Sequence, residues 1–215
     1  MDDAASPPRP PSAAHRSPAA TGGGGGGSSS MTTISRHFFG GASSDEDHEF
    51  YVDIIENMQE DYGMFVWPCS IILAEYVWQQ RLRFSGSTVV EVMKNMRSIC
   101  NLNKVNCKIL GITWGEWDDP IFDLNPSIVL GADVFYDSTD FDDLFATVAF
   151  LLQSSPGAVF ITTYQNRSGH HLIEFLMVKW GLKCSKILDG FSFMPLCKAS
   201  SLQGNIQLVE IELDT

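Results

Sequence analysis

Basic residues are scarce in this chain. Lys and Arg number 14 against 26 Asp and Glu, a net charge of −12. A protein that grips a phosphate backbone neutralises it with Lys and Arg, so nucleic acid is excluded as a partner. An acidic surface suits a basic protein partner, or simple solubility. Cysteine is also scarce, and it is unpatterned. Cys69, Cys100, Cys107, Cys184 and Cys197 are odd in number, scattered, and form no C-x-x-C. That pattern excludes a zinc site and a disulfide framework. It implies reduced thiols in an intracellular compartment, with cytoplasm and nucleus not distinguished. No apolar run approaches the roughly 20 residues of a membrane span. Asp2 and Asp3 stand where a signal peptide needs basic residues. Adjacent His170 and His171 face different directions on a helix and make a poor metal pair. Glycine is missing from one place in particular: none occurs from Ser87 to Leu110, where Glu91 is also the only acid.

What is present divides in two. Residues 1–30 are Pro, Ala, Ser and Gly, with six consecutive glycines from Gly22 to Gly27. Such a segment cannot bury enough apolar surface to offset its ordering entropy and is expected to be disordered. No strand precedes the glycines and no helix follows, so they are no phosphate loop. An acidic flank follows, which places a tail over 1–50 and a folded domain over 51–215. Within the domain, Pro68 suits the first turn of a helix, and Ile72, Leu73, Tyr76 and Val77 recur at helical spacing. Thr88 to Glu91 reads as a short strand, Val92 to Cys100 as a helix, and Cys107 to Ile112 as another strand. Ile128 to Asp133 is a strand buried on both faces. Phe141 to Leu152 is an amphipathic helix with acids in its first turn, as the helix dipole favours. Ala158 to Thr163 is a further buried strand, and a helix runs from about Gly169 to Trp180 with Gly181 as its cap. Cys184 to Leu188 and Gln207 to Leu213 close the chain, the last alternating as a half-buried antiparallel strand does. Strands alternating with helices predict an α/β fold with a mainly parallel sheet.

In such sheets ligands bind beyond the carboxyl ends of the strands. Asp133 and Tyr136 fall at that position, although a strand-end Asp also caps turns and a Tyr also packs. Trp67 precedes the first helix and Trp114 lies just past a strand end. The two could offer flat apolar surface to a heterocycle, or could be core residues.

Phe65-Val66-Trp67-Pro68, Val89-Val90-Glu91, Thr113-Trp114-Gly115 and Ala132-Asp133-Val134-Phe135-Tyr136 occur here in an order that resembles the seven-β-strand methyltransferases of family 16. Those proteins carry a D-x-x-Y motif and methylate proteins. The runs Phe141 to Thr147 and Thr163 to Ser168 look closest to the plant members of its methyltransferase-like protein 23 group. The resemblance covers about Met31 to Asp214. It implies a Rossmann-like class I methyltransferase fold, S-adenosylmethionine as cofactor, and a protein substrate with an Arg or Lys acceptor. By this resemblance Trp67, Trp114 and Ala132 border the cofactor, and Glu91 ends the strand leading into its loop. Asp133 and Tyr136 match the D-x-x-Y pair where the acceptor meets the methyl group. A carboxylate there can hold a cationic side chain by charge-assisted hydrogen bonds.

The chain departs from the family after Glu91. The family continues into a Gly-rich loop, a helix, and a strand ending in an acid that binds the ribose hydroxyls. Here Glu91 runs directly into Val92-Met93-Lys94-Asn95, so about one βαβ unit, on the order of thirty residues, is absent. Two readings stay open beside that of an active enzyme: a non-catalytic protein-binding module, and a non-functional splice or gene-model truncation.

Overall fold

The computed structural model describes residues 32–40, 50–57, 66–91, 96–167 and 171–214. Of the expected tail over 1–50, residues 1–31 and 41–49 lie outside the described residues, as do Phe65 and the expected helix starts at 92–95 and at Gly169-His170.

The chain's described part opens on a hairpin that the sequence reading did not anticipate. Strands β1 (Thr32–Phe39) and β2 (Phe50–Asn57) pair antiparallel along their whole length, from Thr32 opposite Asn57 to Phe39 opposite Phe50. The boundary expected at 50/51 therefore falls inside paired structure, because β-branched and aromatic side chains fill both strands. Phe50 stacks on Trp78 of helix α1 (Pro68–Gln79) with ring centroids 5.5 Å apart. Lys198 donates to the Phe38 carbonyl and to Glu75 of α1, fastening the hairpin from the other side.

The main sheet has five strands in the order β3-β4-β5-β7-β6. These are β3 (Val89–Glu91), β4 (Ile128–Ala132), β5 (Val159–Gln165), β6 (Leu182–Asp189) and β7 (Ile206–Leu213). β3, β4 and β5 are parallel, and β7 runs antiparallel between β5 and β6. β4 shows why its residues are almost uniformly apolar. Ile128 and Leu130 face α1, packing with Leu73 and Tyr76, while Val129 faces helix α5 (Phe141–Ser154) with Phe145 and Val148. A strand covered on both sides must be hydrophobic at successive positions, not alternate ones. Helix α6 (His171–Lys179) lies on the α5 side, where Lys179 and the Trp180 indole both donate to Asp142. Gly181, at φ +64, caps that helix in the left-handed region that favours glycine.

Two short helices, α2 (Arg81–Phe84) and α7 (Leu196–Ala199), flank the α1 layer, and α4 (Asp119–Phe122) precedes β4. Helix α3 (Met96–Leu102) follows β3 after only four residues. The strand expected at Cys107 to Ile112 is irregular backbone. A strand exists through its ladder partners. In a doubly wound sheet ordered 3-2-1-4-5, the third strand pairs with the second. Among the described residues, no strand lies beyond β3 for Cys107 to Ile112 to join.

Candidate functional site

The carboxyl ends of β4 and β5 carry the site. β4 stops at Ala132, and Asp133 takes φ +54, a left-handed conformation uncommon for a residue with a Cβ. Its amide still continues the ladder, donating to the Thr163 carbonyl at 2.7 Å. Its carboxylate meets the segment leaving β5. Arg167 Nη1 donates to Oδ1 at 2.9 Å and Nη2 to Oδ2 at 2.8 Å, and the Gln165 amide adds a longer contact of 3.4 Å. Arg167 also donates to the Phe135 carbonyl. The Asp133 side chain is 10% exposed and that of Arg167 35%. The carboxylate holds the Arg167 guanidinium above its ordinary pKa. Sequence reasoning did not single out Arg167 as a site residue. A lone Arg past a strand carries no periodic signal, and only the fold reveals its partner 34 residues upstream.

The first turn of α1 reaches the same place. Trp67 is its N-cap, extended as a residue before proline must be, with its carbonyl accepting from Ser70 and Ile71. Thr163 Oγ1 donates to the Cys69 carbonyl at 2.8 Å, tying the helix start to β5. The Cys69 thiol is buried and stays protonated, pushed up first by burial and then by the charge of Asp133. The start of α1, with Trp67 as its N-cap, is thereby held beside the ends of β4 and β5.

The other expected residues are placed apart. Tyr136 follows two buried residues, Val134 and Phe135, and is itself 66% exposed. Asp133 points into the protein and Tyr136 out of it. Trp114 is half-buried against the α5-side cluster, opposite the layer that α1 covers. Its turn is pinned by Gly115, whose amide donates to Thr147 Oγ1 at 2.9 Å and whose φ is +75. Glu91 ends β3 opposite Leu130, at the sheet edge.

An adenosyl cofactor needs apolar surface on one side and a close backbone approach on the other. Ala132, half-buried against the α1-side cluster, supplies apolar surface at the end of β4. On the other side, β3 is three residues long and passes to α3 through four residues without a glycine. A nucleotide-binding loop uses glycines so that its backbone can approach the phosphates or ribose closely, and Val92-Met93-Lys94-Asn95 contains none. No second strand among the described residues brings a carboxylate to the ribose. The residues present do not fit S-adenosylmethionine.

The strand order, with antiparallel β7 between β5 and β6, and the helices on both faces define a Rossmann-like α/β methyltransferase fold. No protein-family model matches the chain. The histone-arginine methyltransferase METTL23 of Xenopus laevis is 35% identical over 204 positions, covering 79% of this chain and 87% of that protein. The Mus musculus protein of the same name is 33% identical over 172 positions, covering 65% and 68%, and the Homo sapiens one 30% over 160, covering 60% and 84%. The chain belongs to the methyltransferase-like protein 23 family, and by that resemblance its class is S-adenosylmethionine-dependent protein methyltransferase. Among solved structures, a mitomycin 7-O-methyltransferase aligns at TM-score 0.42 and 16% identity over 67% of this chain and 45% of that one.

The alignments carry a further number. In the frog comparison, 79% of 215 residues is about 170, set against 204 positions, so about 34 positions of the relative face no residue here. In the mouse comparison, 65% is about 140 against 172, leaving about 32.

Proposed function

We propose that the reaction this fold serves is methyl transfer from S-adenosylmethionine to an arginine side chain of a histone. This chain carries the acceptor half of the site and lacks the cofactor half, so on its own it binds the acceptor protein without methylating it. One observation carries the reading: β3 passes to α3 through four residues without a glycine or a second strand. The unmatched positions of the relatives, about 34 and about 32, support an absence of one βαβ unit, and we place it between Glu91 and Val92. The unpaired segment Cys107 to Ile112 supports the same position, since its ladder partner belongs to that unit.

Arginine as acceptor is supported by the relatives' names and by the chemistry of Asp133. This carboxylate grips a guanidinium on both oxygens, the fork geometry that Arg alone supplies. Exchanging Arg167 for an acceptor arginine swaps one guanidinium for another at little net cost, because Arg167 is already a third exposed. Acidic residues on two neighbouring surfaces favour a basic chain. Glu116, Asp118 and Asp119 follow Trp114, and Asp137 and Asp140 precede α5; all five are exposed. Cytoplasm and nucleus are the compartments that a histone substrate allows.

The experiment restores the missing unit. The frog relative's unmatched segment is inserted between Glu91 and Val92, and both chains are offered histones with radiolabelled S-adenosylmethionine. The restored chain is expected to label arginine and the present chain to label nothing. Labelling by the present chain would overturn the reading.

A further inference from the structure

Outside this site, two thiols lie in contact. Cys100 sits in α3 and is buried; Cys107 follows the helix and is exposed. Their sulfurs are 2.8 Å apart. The turn between them is closed by its own backbone. The Asn103 amide donates to the Ile99 carbonyl and the Val105 amide to the Cys100 carbonyl, with Lys104 at φ +56 reversing the chain. Asn103 also anchors this turn to the hairpin. Its side chain accepts from the Asp53 amide at 2.8 Å and donates to the Asp53 carbonyl at 2.7 Å. Cys107 is therefore returned to Cys100 by a turn fixed at both ends. Among the described residues no other two thiols are in contact.

We propose that Cys100 and Cys107 are a reversible oxidation site that takes a peroxide and closes to an intramolecular disulfide. The exposed Cys107 sulfur attacks hydrogen peroxide, becomes a sulfenic acid, and releases one water. The Cys100 sulfur then attacks the Cys107 sulfur, the S–S bond forms, and the sulfenic oxygen leaves as a second water. Two thiol protons and two electrons leave the protein, and the peroxide is reduced to two waters. The hydrogen bond with the Cys107 sulfur, and then burial, raise the pKa of the Cys100 thiol. A thiol pair with one exposed and one resolving member is the arrangement that redox-sensing cysteines use.

Tryptic mapping tests it, because cleavage after Arg97, Lys104 and Lys108 puts the two cysteines on separate peptides. The full chain is treated with a small excess of hydrogen peroxide, unfolded, alkylated and digested without reductant. Peptides 98–104 and 105–108 are expected joined by a bond that dithiothreitol cleaves. The joined product should form about tenfold faster in the native chain than in urea, the fold supplying the proximity. In Cys107→Ser, Cys100 is expected to remain alkylatable. Separate alkylation of both cysteines, advance of Cys107 to the sulfinic acid, a covalent dimer, or equal rates in urea would each overturn the proposal.

Discussion

Arg167 closes on Asp133 with two near-parallel hydrogen bonds of 2.9 and 2.8 Å, and so fills the carboxylate that a motif reading reserves for substrate. The pair joins the ends of β4 and β5 and aligns the chain on either side of the site. Replacing Arg167 with alanine leaves a nearly buried carboxylate unpaired, an expected loss of about 3 kcal/mol in denaturant unfolding. Arg167→Lys keeps the charge but replaces the fork with a point contact. A histone peptide carrying arginine is then expected to bind about threefold more tightly, since its guanidinium outcompetes an ammonium for the fork. Weaker binding would show that Arg167 is purely structural.

A second prediction concerns Glu210 on β7. Tyr76 donates to it at 2.5 Å, Arg83 on both of its oxygens at 2.9 and 2.8 Å, and Lys186 at 3.2 Å. Burial acts against ionisation, yet Arg83, Tyr76 and Lys186 outweigh it and bring the carboxyl down to about 2. Its folded pKa is below its unfolded one. The stabilisation is therefore present above the ordinary carboxylate range and is lost as pH falls towards 2. Glu210→Gln is expected to cost about 2–3 kcal/mol at neutral pH. It should also flatten the acid limb of the stability curve between about pH 4.5 and 2. An unchanged acid limb would contradict the assignment.

How much of this was legible in the sequence depended on whether the signal was local. Ile128 to Leu130 reads as a strand covered on both faces, and the structure places helices on both. Gln207 to Leu213 does pair antiparallel, but it lies between β5 and β6 and is buried at successive positions from Leu208 to Ile211 instead of alternating as the sequence suggests. The hairpin at Thr32–Phe39 lay unread, although its β-branched and aromatic content was visible. Its partner begins 11 residues on, across an acidic stretch that suggested a solvated tail. Cys107 to Ile112 failed in the opposite way. Its local pattern is that of a strand, but a strand is made by its neighbour. The pairing of the Asp133 carboxylate with the Arg167 guanidinium is a product of topology and has no local signature.

Gly115 supplies a third prediction. A Cβ at this position would stand 2.6 Å from the Asp143 carboxyl, on a backbone at φ +75. Gly115→Ala is expected to cost about 1–3 kcal/mol in a melt. It should also release the turn that holds Trp114, seen as greater quenching of tryptophan fluorescence by acrylamide. A neutral substitution would mean that the turn tolerates another path.

The unpaired segment supplies a fourth. Amides from Asn106 to Ile112 are expected to exchange with deuterium within seconds, while those of Val129 and Ile161 in the central strands resist. In the chain restored between Glu91 and Val92, the same amides should slow by about a hundredfold as they gain a ladder partner. Equal protection in both chains would separate the irregular segment from the missing unit.

The most direct measurement is a calorimetric titration of this chain with S-adenosylmethionine to millimolar concentration, on protein first shown to melt cooperatively. An intact acceptor half without a nucleotide-binding half predicts a cooperative melt and no heat of binding. A saturable heat at micromolar cofactor would contradict the account, because it would mean that the residues around Trp67, Glu91 and Ala132 hold the cofactor without a Gly-rich loop.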